Sequence, residues 1–339
     1  MLLERLDCNN GRVLSPEGSV LKAARDFSDF LRETELRLRR DGTPIPSQAD
    51  KELVARSFHR LIASVETYEL EFAGEDLSET KDKFRQIVVP WLCRSRFFWR
   101  SLFKPQGYPG DFQMIEWIYD LETSAGSDCA QSALVNCLDY AFSTIGSVKS
   151  VWNRRRWLAE LLRREFNQKA ELSVLDIACG GARYIVDFLS SIREAKSVSV
   201  TLVDQDAAAL TYACDYALER WKSQLTPINQ PIKKLMAAGL TGKYDVIISA
   251  GLFDYLEVRI ASRLISTLLS QLKEGGILAL TNFRSGGPSA YCPDWLADWQ
   301  LIYRNERAVA ALFPPSISVD VSASPDGGLV YATTRSNRI

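Results

Sequence analysis

The sequence predicts an α/β protein: a doubly wound, mostly parallel sheet in residues 149–339, preceded by a helical domain in residues 1–148. Three observations predict it. From residue 172 onward, apolar runs of strand length alternate with stretches of helical periodicity, as strand–helix–strand units require. In residues 18–102 the apolar positions instead recur only at helical spacing. Finally, the apolar run at 172–177 leads straight into Gly180-Gly181 and a helix, the arrangement by which such a sheet brings backbone close to a ligand.

The elements follow in order. Leu53, Val54, Phe58, Leu61, Ile62 and Val65 form one helical stripe, with polar breaks at 42–47 and 74–78. The aromatic segment Phe97-Phe98-Trp99 leads through the turn Gly107-Tyr108-Pro109-Gly110-Asp111 into a helix starting at Phe112, with Asp111 as its N-cap. Further helices are expected over 128–145 and 150–167. Strands are expected at 172–177, 199–204, 231–236, 244–249, 276–282, 316–321 and 328–334. Asp206 reads as the N-cap of a helix over 207–217. No internal repeat or low-complexity linker separates the halves, so the helical half is expected to serve as a lid and substrate domain.

Composition narrows the function classes. The 339 residues are 46% apolar, ample for a large core, and the net charge is -1. With a pI near 6.1, this balance argues against nucleic acid as a partner. The basic run Arg154-Arg155-Arg156 reads as a solvated helix face or a partner for carboxylates. The seven cysteines form no C-x-x-C pair, which fits reduced thiols rather than a disulfide framework or a zinc site, and no structural metal is expected. No run of about eighteen apolar residues and no signal-like N-terminus is seen. A cytoplasmic enzyme of small-molecule metabolism is therefore expected, without membrane contact and either monomeric or homodimeric.

Four segments carry the chemistry. In the first, the strand at 172–177 ends in Asp176-Ile177-Ala178-Cys179-Gly180-Gly181-Ala182. In the second, a strand ends in Asp204-Gln205-Asp206, and a carboxylate at that position can accept both ribose hydroxyl protons. The third, Lys243–Leu256, places Ser249, Gly251 and Tyr255 at the carboxyl end of a strand, the edge where open α/β sheets bind ligands. The fourth, Leu272–Phe283, is a helix stop, a glycine turn and a buried strand ending at Asn282.

In order and spacing these segments resemble the class I S-adenosylmethionine (SAM)-dependent methyltransferase fold, a Rossmann-like doubly wound sheet, over roughly residues 150–339. The resemblance implies SAM as cofactor, with Asp176, Ala178, Gly180, Asp204, Gln205, Ser249 and Gly251 around it. The family's first strand leads into D-x-G-x-G-x-G, and here Ala178 and Ala182 replace the outer glycines. Any demand for positive φ at those two positions would strain them. A nicotinamide-binding reading of the strand–glycine–helix unit is disfavoured because the G-x-G-x-x-G spacing is absent. Phe103–Met114 and Asp298–Arg304 further resemble bacterial SAM-dependent enzymes with helical N-terminal extensions, of the hydroxy-fatty-acid methyl ester biosynthesis type. In layout the chain is also similar to azetidine-2-carboxylate synthases, which cyclise SAM.

The reaction is less legible. The single histidine, His59, lies among apolar helical neighbours and reads as structural, and Cys179 reads as a small wall residue. Without an evident general base, two reactions fit: methyl transfer to a small, already ionised acceptor such as a carboxylate, and intramolecular cyclisation of SAM. In the first, Arg154, Tyr303 and Arg304 would bind the substrate. In the second, Tyr108, Tyr184 and Tyr255 would steady the sulfonium cation and Asn282 would orient the amine or carboxylate. Asp111 is the candidate receiver of the methionine ammonium. A non-catalytic SAM-binding module is the third reading.

Overall fold

A computed structural model describes residues 16–192, 197–238 and 242–336. Cys8 lies outside the described residues. The chain divides into two compact units: residues 1–110, 120–148 and 291–300 form one, and residues 111–119, 149–290 and 301–339 the other.

The first unit is helical. Its elements are α1 (Pro16–Asp41), α2 (Gln48–Glu71), α3 (Ser78–Leu92), α4 (Arg96–Phe103), the later part of α5 (Phe112–Ser124), and α6 (Ala133–Ser143). Of the stripe foreseen on α2, Val54, Phe58, Leu61, Ile62 and Val65 lie in the core, while Leu53 is half-buried. Ser47 caps α2 by accepting from the Asp50 amide, and Ser132 caps α6 by accepting from the Val135 amide. Residues 291–300 return to this unit from far along the chain. There Trp295 is fully buried edge-on against Tyr68 and Phe84, and its indole N–H donates to Glu69 at 2.7 Å.

The second unit holds α7 (Gly146–Phe166), apart from its first turn, and the sheet with its helices. These are β1 (Leu172–Ile177), α8 (Arg183–Ser191), β2 (Val198–Asp204), α9 (Ala207–Tyr212), β3 (Leu225–Asn229), α10 (Ile232–Ala238), β4 (Tyr244–Ser249), α11 (Val258–Leu269) and β5 (Leu272–Phe283). Helix α13 (Glu306–Ala310) and strands β6 (Asp320–Ala323) and β7 (Leu329–Arg335) complete it, while α12 (Cys292–Ala297) belongs to the helical unit. The strand order is β3-β2-β1-β4-β5-β7-β6; β1 to β5 run parallel and β7 runs antiparallel to β5 and β6.

Alternate strand residues serve opposite faces. Val174, Val246 and Ala279 pack with residues of α7, α8 and α9, whereas Leu175, Ile247 and Leu278 pack with α10, α11 and α13. β1 lies between β2 and β4, so the chain leaves it first to one side of the sheet and then to the other. The crevice at the carboxyl ends of these strands is the binding edge of such a sheet.

The strand expected at 231–236 is corrected by the structure. Those residues open helix α10, where Ile232, Leu235 and Met236 turn one face to the core at helical spacing. The third strand instead lies at Leu225–Asn229 and contains Pro227, which is tolerated because β3 pairs only with β2 at the sheet edge. The helix expected over 128–145 is confined to Ala133–Ser143, because Asp128 forms a turn by accepting from the Ala130 amide.

Candidate active site

The site is built where β1 and β2 end. Asp176 is fully buried, and the Tyr184 hydroxyl lies 2.6 and 2.7 Å from its two carboxylate oxygens. Burial pushes this acid up to about 7, against the hydrogen bond from Tyr184, and the nearby charge of Asp204 adds to the rise. Beyond it the chain turns through three left-handed residues: Ala178 at φ 56°, Gly180 at 53° and Ala182 at 51°. The strain foreseen at the two alanines is therefore present, at roughly 1–2 kcal/mol each.

The turn is held by β2. The Ala178 and Cys179 amides donate to the Val203 carbonyl at 2.8 and 3.3 Å, and the Gly180 amide donates to Asp204 Oδ2 at 2.9 Å. Asp204 Oδ1 accepts from the Asp206 amide at 2.9 Å. Burial raises the Asp204 carboxyl, opposed by its backbone hydrogen bonds from Asp206 and Gly180. One amide on each oxygen leaves acceptor capacity on both, so the residue fits a pair of ribose hydroxyls. Asp206 caps α9 by accepting from the Ala208 amide at 2.9 Å, as expected. Gln205 is exposed, and its carbonyl accepts from Asn229.

The first turns of α5 cover this loop. Asp111 is buried and caps the helix, accepting from the Met114 amide at 2.9 Å. A Cβ added at Gly180 would touch Phe112 at 3.7 Å, and one added at Gly181 would collide with the Glu116 carboxylate. Arg183 Nε and the Tyr212 hydroxyl donate to Glu116 Oε2 at 2.7 and 3.1 Å, and the Phe112 and Tyr212 rings lie 5.4 Å apart. Sequence reasoning missed Glu116, Arg183 and Tyr212. The available signal was the i, i+4 placement of Phe112 and Glu116 after a capping Asp111, one helical face directed at one loop.

At the end of β4, buried Ser249 donates to the Ile177 carbonyl at 3.3 Å. Gly251, at φ 85°, makes room for Arg154, since a Cβ there would sit 2.7 Å from Nη1. Arg154 is 5% exposed, and its Nε has no hydrogen-bond partner among the described residues. Asp254 just beyond is buried and accepts from the Phe283 amide at 2.6 Å. Burial lifts its carboxyl to about 7, against that hydrogen bond and the charges of Arg154 and Arg304.

At the end of β5 the expected ligand groups bond to one another. Asn282 donates to the carbonyls of Ile302 and Phe283 at 2.8 and 3.0 Å and accepts from Arg304 Nη1 at 2.6 Å. Arg304 also donates to the carbonyls of Phe253 and Leu256, and Tyr303 to that of Ala290. These side chains brace the loops after β4 and β5. Tyr255 occupies a single turn after β4 with its side chain 41% exposed. Tyr108 lies in the helical unit, in the loop after α4. His59, also in the helical unit, lies 2.8 Å from the Thr144 hydroxyl. The Cys179 thiol is pushed well up by burial and by the charges of Asp176 and Asp204, which leaves it a poor nucleophile.

Residues 168–317 match the model of a methyltransferase domain. The protein is an enzyme of the methyltransferase fold, and SAM is its cofactor. Among solved structures, the chain is similar to a possible exported protein from Bordetella parapertussis, at 16% identity and TM-score 0.56, covering 93% of this chain and 97% of that one. That likeness shows a shared fold reaching well beyond the sheet unit. The chain is also similar to the N-methyltransferase NodS from Bradyrhizobium japonicum bound to S-adenosyl-L-homocysteine, at 17% identity and TM-score 0.42, covering 67% and 98%. A third likeness is to magnesium protoporphyrin IX methyltransferase from Synechocystis bound to SAM, at 17% identity and TM-score 0.41, covering 56% and 84%. No curated protein matches the sequence. Among the described residues no helix is long and apolar enough to cross a membrane, and no cluster of metal-ligating side chains is found.

Proposed function

We propose that the protein transfers the methyl group of SAM to a small acceptor such as a carboxylate, releasing S-adenosylhomocysteine. The observation that carries this reading is the loop between β1 and α8, clamped by Asp204 so that its left-handed residues bring backbone to the binding edge. SAM supplies the electrophilic methyl group. Asp204 would hold the ribose, the backbone of residues 178–182 would line the methionine side, and α5 would shield the loop from water through Phe112 and Glu116.

A carboxylate acceptor suits the site because it arrives ionised and asks for no proton removal. The thiols at the loop, Cys179 and Cys214, are raised by burial and stay protonated, and Asn282 and Arg304 are engaged within the protein. The helical unit, with Tyr108, is proposed to select the acceptor. The six described cysteines are free thiols, which favours a reducing compartment such as the cytoplasm.

The test is incubation of the purified protein with SAM, with and without a panel of small carboxylic acids, followed by identification of the nucleoside product. Acceptor-dependent S-adenosylhomocysteine supports the reading. Methylthioadenosine formed from SAM alone would establish the cyclisation instead, and binding without any turnover would leave a SAM-binding module.

A further inference from the structure

Three arginines gather beside the cofactor loop, and two of them have acids. Arg155 pairs with Asp187 at 2.5 Å, and Arg183 pairs with Glu116. Both also lie over the ring of Tyr119, at 5.1 and 5.9 Å from its centroid. The third, Arg154, is the most deeply buried, and among the described residues it forms no ion pair. The Tyr119 phenol and the Asp254 carboxyl lie close enough to act on its guanidinium electrostatically, and Nε is left without any partner among the described residues.

A buried guanidinium with an unanswered donor is costly unless something completes its hydrogen bonding. Its surroundings are built to keep it there. Gly251 has no side chain to displace it, and Tyr119 links it to the arginine that anchors Glu116 against Gly181. The place is the carboxyl end of β4, beside β1 and the loop that approaches the cofactor. The chemistry that satisfies a planar fork of donors is a carboxylate, and SAM carries one on its methionine end whatever the acceptor is.

We propose that Arg154 is the receptor for the methionine carboxylate, and that it makes the site discriminate SAM from ligands lacking that group, such as decarboxylated SAM. The proposal rests on the SAM reading above.

The experiment compares S-adenosylhomocysteine with its decarboxylated analogue by calorimetry, on the full chain and on Arg154→Gln and Arg154→Lys. The unaltered protein is expected to prefer S-adenosylhomocysteine by roughly thirty-fold or more, the loss typical of removing one member of a buried charge pair. Arg154→Gln is expected to bind the two ligands alike, and Arg154→Lys to recover part of the preference. Without ligand, Arg154→Gln should melt at or above the unaltered protein, because the variant buries no unanswered charge. Retention of the full preference in Arg154→Gln, including the case where only turnover is lost and the arginine serves the acceptor, overturns the assignment. An unaltered protein that binds neither ligand overturns the SAM reading itself.

Discussion

The Tyr184 hydroxyl touches both carboxylate oxygens of Asp176, at 2.6 and 2.7 Å, closing the base of the cofactor loop from the first turn of the helix that follows it. Both side chains are buried, so the phenol answers an acid that no water reaches. Tyr184→Phe keeps the ring and removes that answer. A loss of about 1–3 kcal/mol in denaturant unfolding is expected. Unchanged stability combined with lost turnover would mean that the hydroxyl acts on the ligand instead.

Ala178 and Ala182 adopt backbone angles that favour glycine, at φ 56° and 51°. Ala178→Gly relieves the strain but loosens the unfolded chain, and the difference favours the variant by about 0.5–1 kcal/mol. Ala182→Gly gains less, because its methyl group is buried in the core against which α8 packs. Thermal melts of the two variants measure both, and a fall in stability for Ala178→Gly would show that the angle costs nothing there.

Gly181 has a different reason to be glycine. Its φ is not positive, yet an added methyl group would strike the Glu116 carboxylate, which Arg183 and Tyr212 hold in place. Gly181→Ala should cost about 1–3 kcal/mol as an overpacking change. Glu116→Ala should remove most of that penalty in the double variant. Additive losses across the two single variants and the double would contradict a direct clash.

The reach of the sequence is set by how local each signal is. β1 and β4 are legible because strands buried on both faces read as short, mostly apolar runs, and β2 because its apolar residues alternate with Ser199 and Thr201 before Leu202 and Val203. β3 is hidden because it is a short edge strand carrying Pro227, and α10 is mistaken for it because seven residues hold too few turns to show a period. In the site, Asp176, Gly180 and Asp204 are legible because strand ends announce them. The contact of Glu116 with Arg183 spans 67 residues, and the return of Trp295 to Glu69 spans 226, and no local pattern encodes either. Asn282 and Arg304 stand at the right edge, but their bond to each other spans 22 residues and arises only in the folded chain.

Asp204→Ala removes the proposed ribose acceptor and the anchor of the Gly180 amide together. Affinity for S-adenosylhomocysteine should fall about a hundredfold, on the scale of losing a buried charged partner. Asp204→Asn keeps an oxygen for the Gly180 amide, while its nitrogen puts a donor where Oδ1 accepts from the Asp206 amide and would accept from one ribose hydroxyl. Calorimetry showing unchanged affinity in both variants would place the ribose elsewhere.

The buried acids set the pH dependence of stability. Asp254 keeps its proton in the folded protein up to about 7, whereas in the unfolded chain it ionises near its ordinary 3.8. Between those values the folded state binds more protons, so stability falls as pH rises from about 4 to 7 and levels off above. Asp176 contributes in the same direction. Asp245 works the other way: burial raises it, but hydrogen bonds from Lys273, Ser173 and Lys169 outweigh burial and hold its carboxyl well below the usual range. Its contribution is complete above about 4 and is lost as pH falls further. Together these groups place greatest stability at mildly acid pH. Asp254→Asn keeps an oxygen to accept from the Phe283 amide and removes the ionisation, so its stability should decline less between pH 5 and 8, by on the order of a few kcal/mol. Urea titrations at those two pH values measure the slope, and a variant as pH-sensitive as the unaltered protein would show that Asp254 is already ionised in the folded state.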